Sequence, residues 1–208
     1  MKNKKIPRHE VIQALINKIE AKSYLEIGIG NAKGFKKRKC SHKVSVDPCV
    51  SDGAKLLKES DMPTYKMESD KFFAQNKESF DVIFIDGLHI ADQVKKDIIN
   101  SLNFLNHGGF IVCHDMSPIT KDMQSVPKAN VGPGWTGDCW KAWVNIRSHN
   151  PNLKMFVVDT DLGCGVIQRG AQELLDLKGL ELTYENLNRN RKEWLNLISV
   201  EDFEAEYL

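Results

Sequence analysis

Apolar residues recur along this chain with two spacings, one typical of amphipathic helices and one typical of buried strands. Apolar positions from Val11 to Ile19 are three or four residues apart and predict an N-terminal helix. Farther along, short apolar runs alternate with helical patterns, which predicts a doubly wound α/β fold with a mostly parallel sheet. The runs predicted as strands are residues 24–29, 43–47, 64–67, 81–86, 110–113, 154–158 and 165–168.

The segments between and after these strands complete the predicted domain. Residues 117–136 contain prolines, glycines and polar side chains, so they predict a lid loop over the strand ends. The last two strands flank a turn at 159–163, whose acids could reach a substrate, and the last strand is expected to be antiparallel. We expect a single domain over 1–208, with its sheet and helices in 22–168, a final helix over 184–198 and a C-terminal segment of 184–208.

Two of the predicted strands stop on ionisable side chains. The run 81–86 leads to Asp86 and His89, and the run 110–113 leads to His114 and Asp115. Ligands of open parallel sheets bind outside the carboxyl ends of the strands, so these four side chains are expected to converge. This arrangement suits an enzyme with a carboxylate or imidazole base, with or without a divalent metal.

Simpler roles are open for each of these residues. Asp86 could contact a cofactor or cap the following helix. His89 could be hydrogen-bonded to the backbone where that helix begins. His114 and Asp115 could be a hydrogen-bonded pair that orients the next loop.

A glycine turn follows the first predicted strand. Gly28 and Gly30 allow the backbone to turn tightly and to approach a ligand. The third glycine of the dinucleotide fingerprint is displaced to Gly34, so the pyrophosphate motif is broken. Asp47 ends the second strand and suits an acid that accepts hydrogen bonds from ribose hydroxyls. Taken singly, the glycines could form an ordinary turn and Asp47 a cap before the proline that follows it.

Together with Glu26, these residues favour a nucleoside ligand that lacks a pyrophosphate. S-adenosylmethionine is the candidate, with its amino-acid end along residues 26–30 and its ribose at Asp47. Its adenine would lie near the residues that follow 64–67, where Ser69 and Asp70 begin a helix. Ser69 also suits the N-cap of that helix.

The same segments resemble a known family. The motifs are Tyr24-Leu-Glu-Ile-Gly-Ile-Gly, Val46-Asp-Pro, Ser69-Asp-Lys-Phe-Phe and Phe80-Asp-Val-Ile-Phe-Ile-Asp-Gly-Leu-His. In them the chain resembles a class I S-adenosylmethionine-dependent methyltransferase of the small bacterial and viral methyltransferase domain 24 type. The resemblance covers about residues 22–168, and it implies a Rossmann-like seven-stranded sheet and a bound S-adenosylmethionine.

The wider family includes metal-dependent O-methyltransferases, and the resemblance extends to their metal site. Those enzymes place one Asp after the fourth strand and an Asp-Asp or Asp-Asn pair after the fifth. Asp86 corresponds to the first position, and His114 with Asp115 corresponds to the pair. The implied ion is Mg²⁺, or another divalent metal because one ligand is a histidine. Without a metal, His89 or His114 could act as the general base.

The implied reaction is O-methylation of a small hydroxylated acceptor, for which family analogy suggests a sugar. Five residues after the loop could line such a site, and they are Trp135, Trp140, Lys141, Trp143 and Arg147. Core packing of the tryptophans is the other interpretation. Two other functions stay open: an S-adenosylmethionine-binding protein without methyl transfer, and a nicotinamide-dependent oxidoreductase, which the displaced third glycine disfavours.

Composition narrows the classes of partner. The 208 residues carry a formal net charge of +1, which gives no electrostatic basis for nucleic-acid binding. Apolar runs are too short to span a bilayer, so we expect no membrane partner. Five scattered cysteines without metal-ligand spacing predict free thiols in the cytoplasm. The final helix could pack on its own sheet or on a second chain, which leaves a homo-oligomer open.

Overall fold

The structure is a computed structural model that describes residues 4–128 and 134–208. Its strands are β1 (Ser23–Ile27), β2 (His42–Val46), β3 (Phe80–Ile85), β4 (Leu105–Cys113), β5 (Leu153–Val158), β6 (Cys164–Arg169) and β7 (Leu197–Ile198). Its helices are α1 (Arg8–Lys18), α2 (Lys33–Lys37), α3 (Asp52–Lys55), α4 (Ser69–Gln75), α5 (Ala91–Asn103), α6 (Cys139–Arg147), α7 (Tyr184–Leu195) and α8 (Val200–Tyr207).

The seven strands form one mixed sheet in the order β2-β1-β3-β4-β6-β5-β7. Strand β6 runs antiparallel to both of its neighbours, and the other pairs are parallel. The predicted α/β fold and its antiparallel strand are therefore confirmed. The parallel strand ends meet at one edge of the sheet, where ligands of open α/β sheets bind.

Two predicted elements are wrong. The segment 64–67 is not a strand, because only Tyr65 reaches β2, through an isolated bridge to Val46. The amide of Met67 bonds back to the carbonyl of Tyr65 and turns the chain away. The helix predicted over 184–198 ends at Leu195, since Asn196 adopts a left-handed backbone with φ of 48°. The residues that follow form β7, which supplies the seventh strand.

Each face of the sheet buries an apolar layer, as a parallel sheet requires. On β3, Ile83 and Ile85 face the layer that includes α5, α6 and α7, and Val82 and Phe84 face the layer of α1 and α8. The side chains of Trp140 and Trp143 are fully buried in the first layer. The structure thus favours the core-packing interpretation for these two tryptophans.

The C-terminal segment packs on its own domain. Trp194 of α7 stacks on Trp140 with ring centroids 6.1 Å apart, and Phe203 of α8 is buried against the opposite layer. No helix within the described ranges combines the length and apolar character that crossing a bilayer needs.

The predicted lid falls partly within the described residues. Thr136 donates its amide to Met123 O, and Ser117 donates its amide to Leu162 O, so both ends of the segment are tied to the domain. Residues 129–133 of the predicted lid lie outside the described residues. A lid function for 117–136 stays a prediction.

Candidate active site

The glycine turn brings the end of β1 against the end of β3. Gly28 has a φ of +83°, and a Cβ placed on it would lie 2.2 Å from the carbonyl oxygen of Asp86. No larger residue fits there without moving one strand end. Gly30 also has a left-handed backbone, with a φ of +49°, but its Cβ position meets no heavy atom of the described residues within 4 Å. The turn therefore leaves an open space beside Gly30.

Asp47 holds this turn in place. Its Oδ2 accepts hydrogen bonds from the amides of Ile29 at 2.9 Å and Gly30 at 3.2 Å. Its Oδ1 accepts the amide of Cys49 at 2.6 Å. The carboxylate at the end of β2 thus fixes the glycine backbone, and a contact with ribose stays a prediction.

Glu26 lies beneath the same turn, only 3% exposed. Burial raises the pKa of Glu26 to about 7, against the opposing effects of the Tyr24 hydroxyl, which donates a hydrogen bond to it, and of the Arg38 charge. A carboxyl group with such a pKa is partly protonated near pH 7, and a further cation beside it favours its ionised form. The ammonium group of an amino acid would be such a cation.

Ser69 and Asp70 begin α4 near the end of β2. Glu68 occupies the N-cap position without a side-chain cap, so the predicted Ser69 cap is wrong. Gln93 of α5 instead donates from its Nε2 to Ser69 Oγ at 3.2 Å and to Asp70 Oδ1 at 3.0 Å. Their predicted contact with adenine is untested.

The four strand-end residues converge as expected. His114 Nδ1 lies 3.4 Å from Asp86 Oδ1 and 3.2 Å from Asp115 Oδ1. His89 bridges the same two acids, with Nε2 3.4 Å from Asp86 Oδ1 and Nδ1 3.3 Å from Asp115 Oδ2. Two carboxylates and two imidazoles therefore share one small, largely buried volume.

Asp86, His114 and Asp115 have the chemistry and spacing of a divalent metal site. Each can offer one ligand atom, and these atoms lie within 4.8 Å of one another. His114 Nδ1 and Asp115 Oδ1 are buried and lie 3.2 Å apart, but neither forms a hydrogen bond of acceptable geometry in the described part of the chain. Buried polar atoms of this kind call for a ligand, and a mixed oxygen and nitrogen set suits Mn²⁺, Fe²⁺, Zn²⁺ or Mg²⁺.

The charges in this cluster stabilise one another. Burial alone would lower the pKa of His114, but the carboxylates of Asp86, Asp115 and Asp161 raise it well above its ordinary value. Burial would raise the pKa of Asp86, but the two histidines and Arg8 bring it below its ordinary range. The cluster therefore favours ionised carboxylates.

Sequence reasoning missed Arg8 and gave little weight to Asp161. The Arg8 guanidinium lies 3.6 Å from Asp86 Oδ2, 3.4 Å from Asp161 Oδ2 and 3.3 Å from His114 Nε2. Arg8 is the first residue of α1, and Asp161 lies in the turn between β5 and β6. Neither has a local pattern that reveals its position, because more than 150 residues separate them along the chain.

The end of the predicted lid packs on His89. The Trp135 ring stacks on the imidazole with centroids 5.2 Å apart, and its carbonyl oxygen lies 3.2 Å from His89 Nδ1. Asp138 Oδ1 accepts the amide of Ala91 at 2.8 Å, which caps the start of α5. Trp135 is therefore the tryptophan of the predicted ligand-binding set that contacts the strand-end cluster.

Comparisons with known proteins agree with this fold. A family model described as a methyltransferase domain matches residues 31–116, which include Asp47, Asp86, His114 and Asp115. No curated protein sequence matches the chain.

Several solved methyltransferases have the same fold. A methyltransferase from Podospora anserina bound to S-adenosylhomocysteine is 17% identical, with a TM-score of 0.54 over 78% of this chain and 77% of that one. An O-methyltransferase from Bacillus cereus, in complex with S-adenosylhomocysteine, is 13% identical, with a TM-score of 0.52 over 83% and 84%.

A third structure shows the fold with a metal. The mycinamycin-pathway methyltransferase MycE, in complex with Mg, S-adenosylhomocysteine and mycinamycin VI, is 16% identical and has a TM-score of 0.51. The match covers 84% of this chain and 51% of that protein. The family match over residues 31–116 and the shared sheet make this chain similar in fold to class I S-adenosylmethionine-dependent methyltransferases.

Proposed function

We propose that this protein transfers the methyl group of S-adenosylmethionine to a hydroxyl of a small acceptor, with a divalent metal held by Asp86, His114 and Asp115. One observation carries the metal part of the proposal. Among the described residues, the buried atoms His114 Nδ1 and Asp115 Oδ1 lie 3.2 Å apart without forming a hydrogen bond of acceptable geometry, and His114 Nδ1 lies 3.4 Å from Asp86 Oδ1. The Mg in the MycE complex supports it by analogy.

The cofactor would lie along the ends of β1 and β2. Glu26 would accept hydrogen bonds from the ammonium group, and the open space beside Gly30 would admit the amino-acid end. Asp47 has oxygen lone pairs left for ribose hydroxyls, and Ser69 and Asp70 would border the adenine. Asp86 would stand between the cofactor and the acceptor, because its carbonyl oxygen occupies the place where a Gly28 side chain would begin while its carboxylate faces His114.

The reaction needs an acceptor oxygen that is deprotonated and aligned with the sulfonium methyl. The bond between the methyl carbon and the sulfonium sulfur breaks as the new bond from carbon to the acceptor oxygen forms, and the electron pair of the broken bond returns to sulfur. A bound divalent metal lowers the pKa of a coordinated hydroxyl and fixes its direction of approach. His89 can take up the released proton, since its side chain is 21% exposed whereas those of His114 and Asp115 are 5% and 4% exposed.

The surroundings suit a small molecule that is partly apolar. Leu88 and Ile119, which follow β3 and β4 respectively, are 54% and 67% exposed. Lys128 places its ammonium 5.3 Å above the Trp135 ring, so an aromatic and cationic surface lies next to His89. Catechols and glycosides both offer neighbouring hydroxyls, and a saccharide acceptor is the one that family analogy favours.

The decisive experiment measures formation of S-adenosylhomocysteine from S-adenosylmethionine with a panel of catechols and glycosides. Mg²⁺, Mn²⁺ and Zn²⁺ are compared with a chelator, and Asp86→Ala and Asp115→Ala are compared with the exposed variant Asp52→Ala. We expect a metal-dependent turnover that the chelator and both site variants abolish, with S-adenosylhomocysteine binding retained in Asp115→Ala.

Other outcomes separate the alternatives. Full turnover in chelator would exclude the metal and leave His89 as the base. Calorimetric binding of S-adenosylhomocysteine without turnover on any acceptor favours a binding protein, and a fluorescence response to NADH instead favours an oxidoreductase. A cytoplasmic location, which the five free cysteines favour, and a homo-oligomer stay predictions.

A further inference from the structure

The second nitrogen of the His114 ring faces a carboxylate outside the proposed ligand set. Asp161 Oδ1 lies 3.5 Å from His114 Nε2. The other oxygen, Asp161 Oδ2, accepts the backbone amide of Arg8 at 2.8 Å. One acid in the turn between β5 and β6 therefore holds both the start of α1 and the buried imidazole.

The position of Asp161 is fixed by its turn. Asp161, Leu162 and Gly163 have left-handed backbones with φ of 43°, 60° and 92°. Ser117 and Met116, which follow Asp115, donate their amides to Leu162 O at 2.8 Å and to Gly163 O at 3.2 Å. The turn is thus hydrogen-bonded to the segment that carries His114 and Asp115, and their relative positions are set by backbone contacts.

Two protonation patterns of the imidazole compete at Nε2. Arg8 Nη1 lies 3.3 Å from Nε2 and could donate to it, which would place the ring proton on Nδ1. Asp161 can accept only if Nε2 carries the proton. Because Arg8 also contacts Asp86 and Asp161, its guanidinium has carboxylate partners without the ring.

We propose that Asp161 is a positioning residue that accepts the Nε2 proton of His114 and so leaves Nδ1 unprotonated toward Asp86 and Asp115. Histidines that bind metals usually donate their other ring N–H to a carboxylate, which fixes the ring and its tautomer. Nδ1 is buried and faces Asp115 Oδ1 at 3.2 Å and Asp86 Oδ1 at 3.4 Å, but it forms no hydrogen bond of acceptable geometry among the described residues. Arg8 neutralises Asp161 and keeps it in place. The inference rests on the proposed metal-dependent function.

The test uses the full chain with Zn²⁺ as the probe. Nitrogen NMR of the His114 ring in the Zn²⁺-loaded protein reports which nitrogen carries the proton, and calorimetry gives the Zn²⁺ affinity. Asp161→Ala and Asp161→Asn are compared with Asp159→Asn, which makes the same charge change in the same turn. Thr160→Val is the second control, because it removes the bond from Ile6 N to Thr160 Oγ1 at 3.0 Å without touching His114.

We expect the proton on Nε2 in the wild type and a loss of Zn²⁺ affinity of about 10- to 100-fold in Asp161→Ala. Asp161→Asn should lose less, since its amide oxygen still accepts the Nε2 proton, and both controls should bind as the wild type does. An equal loss in Thr160→Val, or no loss in Asp161→Ala, overturns the inference while the metal site stands. A proton on Nδ1 of the Zn²⁺-loaded wild type overturns both, because a protonated Nδ1 cannot bind a metal. Failure of the wild type to bind Zn²⁺, Mn²⁺ or Mg²⁺ overturns the proposed metal function itself.

Discussion

A Cβ on Gly137 would lie 1.8 Å from the carbonyl oxygen of His89. The backbone before α6 therefore presses directly on the residue that joins β3 to α5. Trp135 stacks on the His89 ring from the same segment. Close packing of two loops, rather than either loop alone, sets the orientation of this imidazole.

We predict that Gly137→Ala lowers the free energy of unfolding by about 3 kcal/mol or more, since it combines a steric overlap with a φ of +57°. Denaturant unfolding measures the loss, and the NMR shifts of the His89 ring should change. Gly179→Ala is the control, because its φ is +73° but its Cβ meets no heavy atom of the described residues within 4 Å. Equal losses in both variants would show that backbone conformation, and not the contact with His89, governs the cost.

The sequence predicts the sheet and the strand-end acids well because both depend on local pattern. Residues 82–85 are apolar and buried, and Asp86 follows them directly, so its place at the sheet edge follows from the fold class. Leu197 and Ile198 show the limit. A strand of two residues is too short to show an alternating apolar pattern in the sequence. The pairing of this strand with β5 depends on how α7 packs.

The positions of Arg8 and Asp161 depend on tertiary contacts alone. Arg8 reaches His114 because α1 begins at the sheet edge, and α1 begins there partly because Asp161 accepts its first amide. Trp143 is ambiguous in the sequence for a related reason. An aromatic residue beside cations fits a ligand site or a core, and only the complete burial of Trp143, on the buried face of α6, decides between them.

Asp47→Ala should weaken S-adenosylhomocysteine binding about tenfold or more. The change removes the acceptor for the amides of Ile29 and Gly30, so the glycine turn loses the bonds that hold it ready for a ligand. Calorimetric titration measures the affinity. The matched control is Asp52→Ala, whose carboxylate is exposed and pairs with Lys55. An unchanged affinity in Asp47→Ala would remove this residue from the cofactor site.

Arg147→Met should destabilise the domain by about 2–4 kcal/mol without lowering turnover per folded molecule. Arg147 Nη1 donates to the carbonyls of Glu193 at 2.7 Å and Trp194 at 2.9 Å, and these end groups of α7 would lose their partner. Thermal unfolding and S-adenosylhomocysteine formation are measured together, with the exposed Arg189→Met as the control. A drop in turnover with unchanged stability would instead restore Arg147 to the ligand-binding set.

Glu26→Gln should make the protein more stable above pH 7. Burial raises the pKa of Glu26 from its ordinary value of 4.5 to about 7 in the folded state. A raised folded-state pKa gives a stability contribution that is complete below pH 4.5 and is lost as the pH rises through 7. The cost of ionising Glu26 above pH 7 is then about 3 kcal/mol. The glutamine side chain of the variant keeps the hydrogen bond with the Tyr24 hydroxyl and does not ionise.

Denaturant unfolding of wild type and Glu26→Gln between pH 4 and 8.5 should show two stabilities that agree at the acid end and diverge as the pH rises. The exposed Glu173→Gln should show no such divergence. A cofactor ammonium that pairs with Glu26 favours its ionised form, so S-adenosylhomocysteine binding at pH 6 should release a proton. Calorimetry in two buffers of different ionisation enthalpy detects that release. A divergence in stability without proton release would leave Glu26 buried but outside the cofactor contacts.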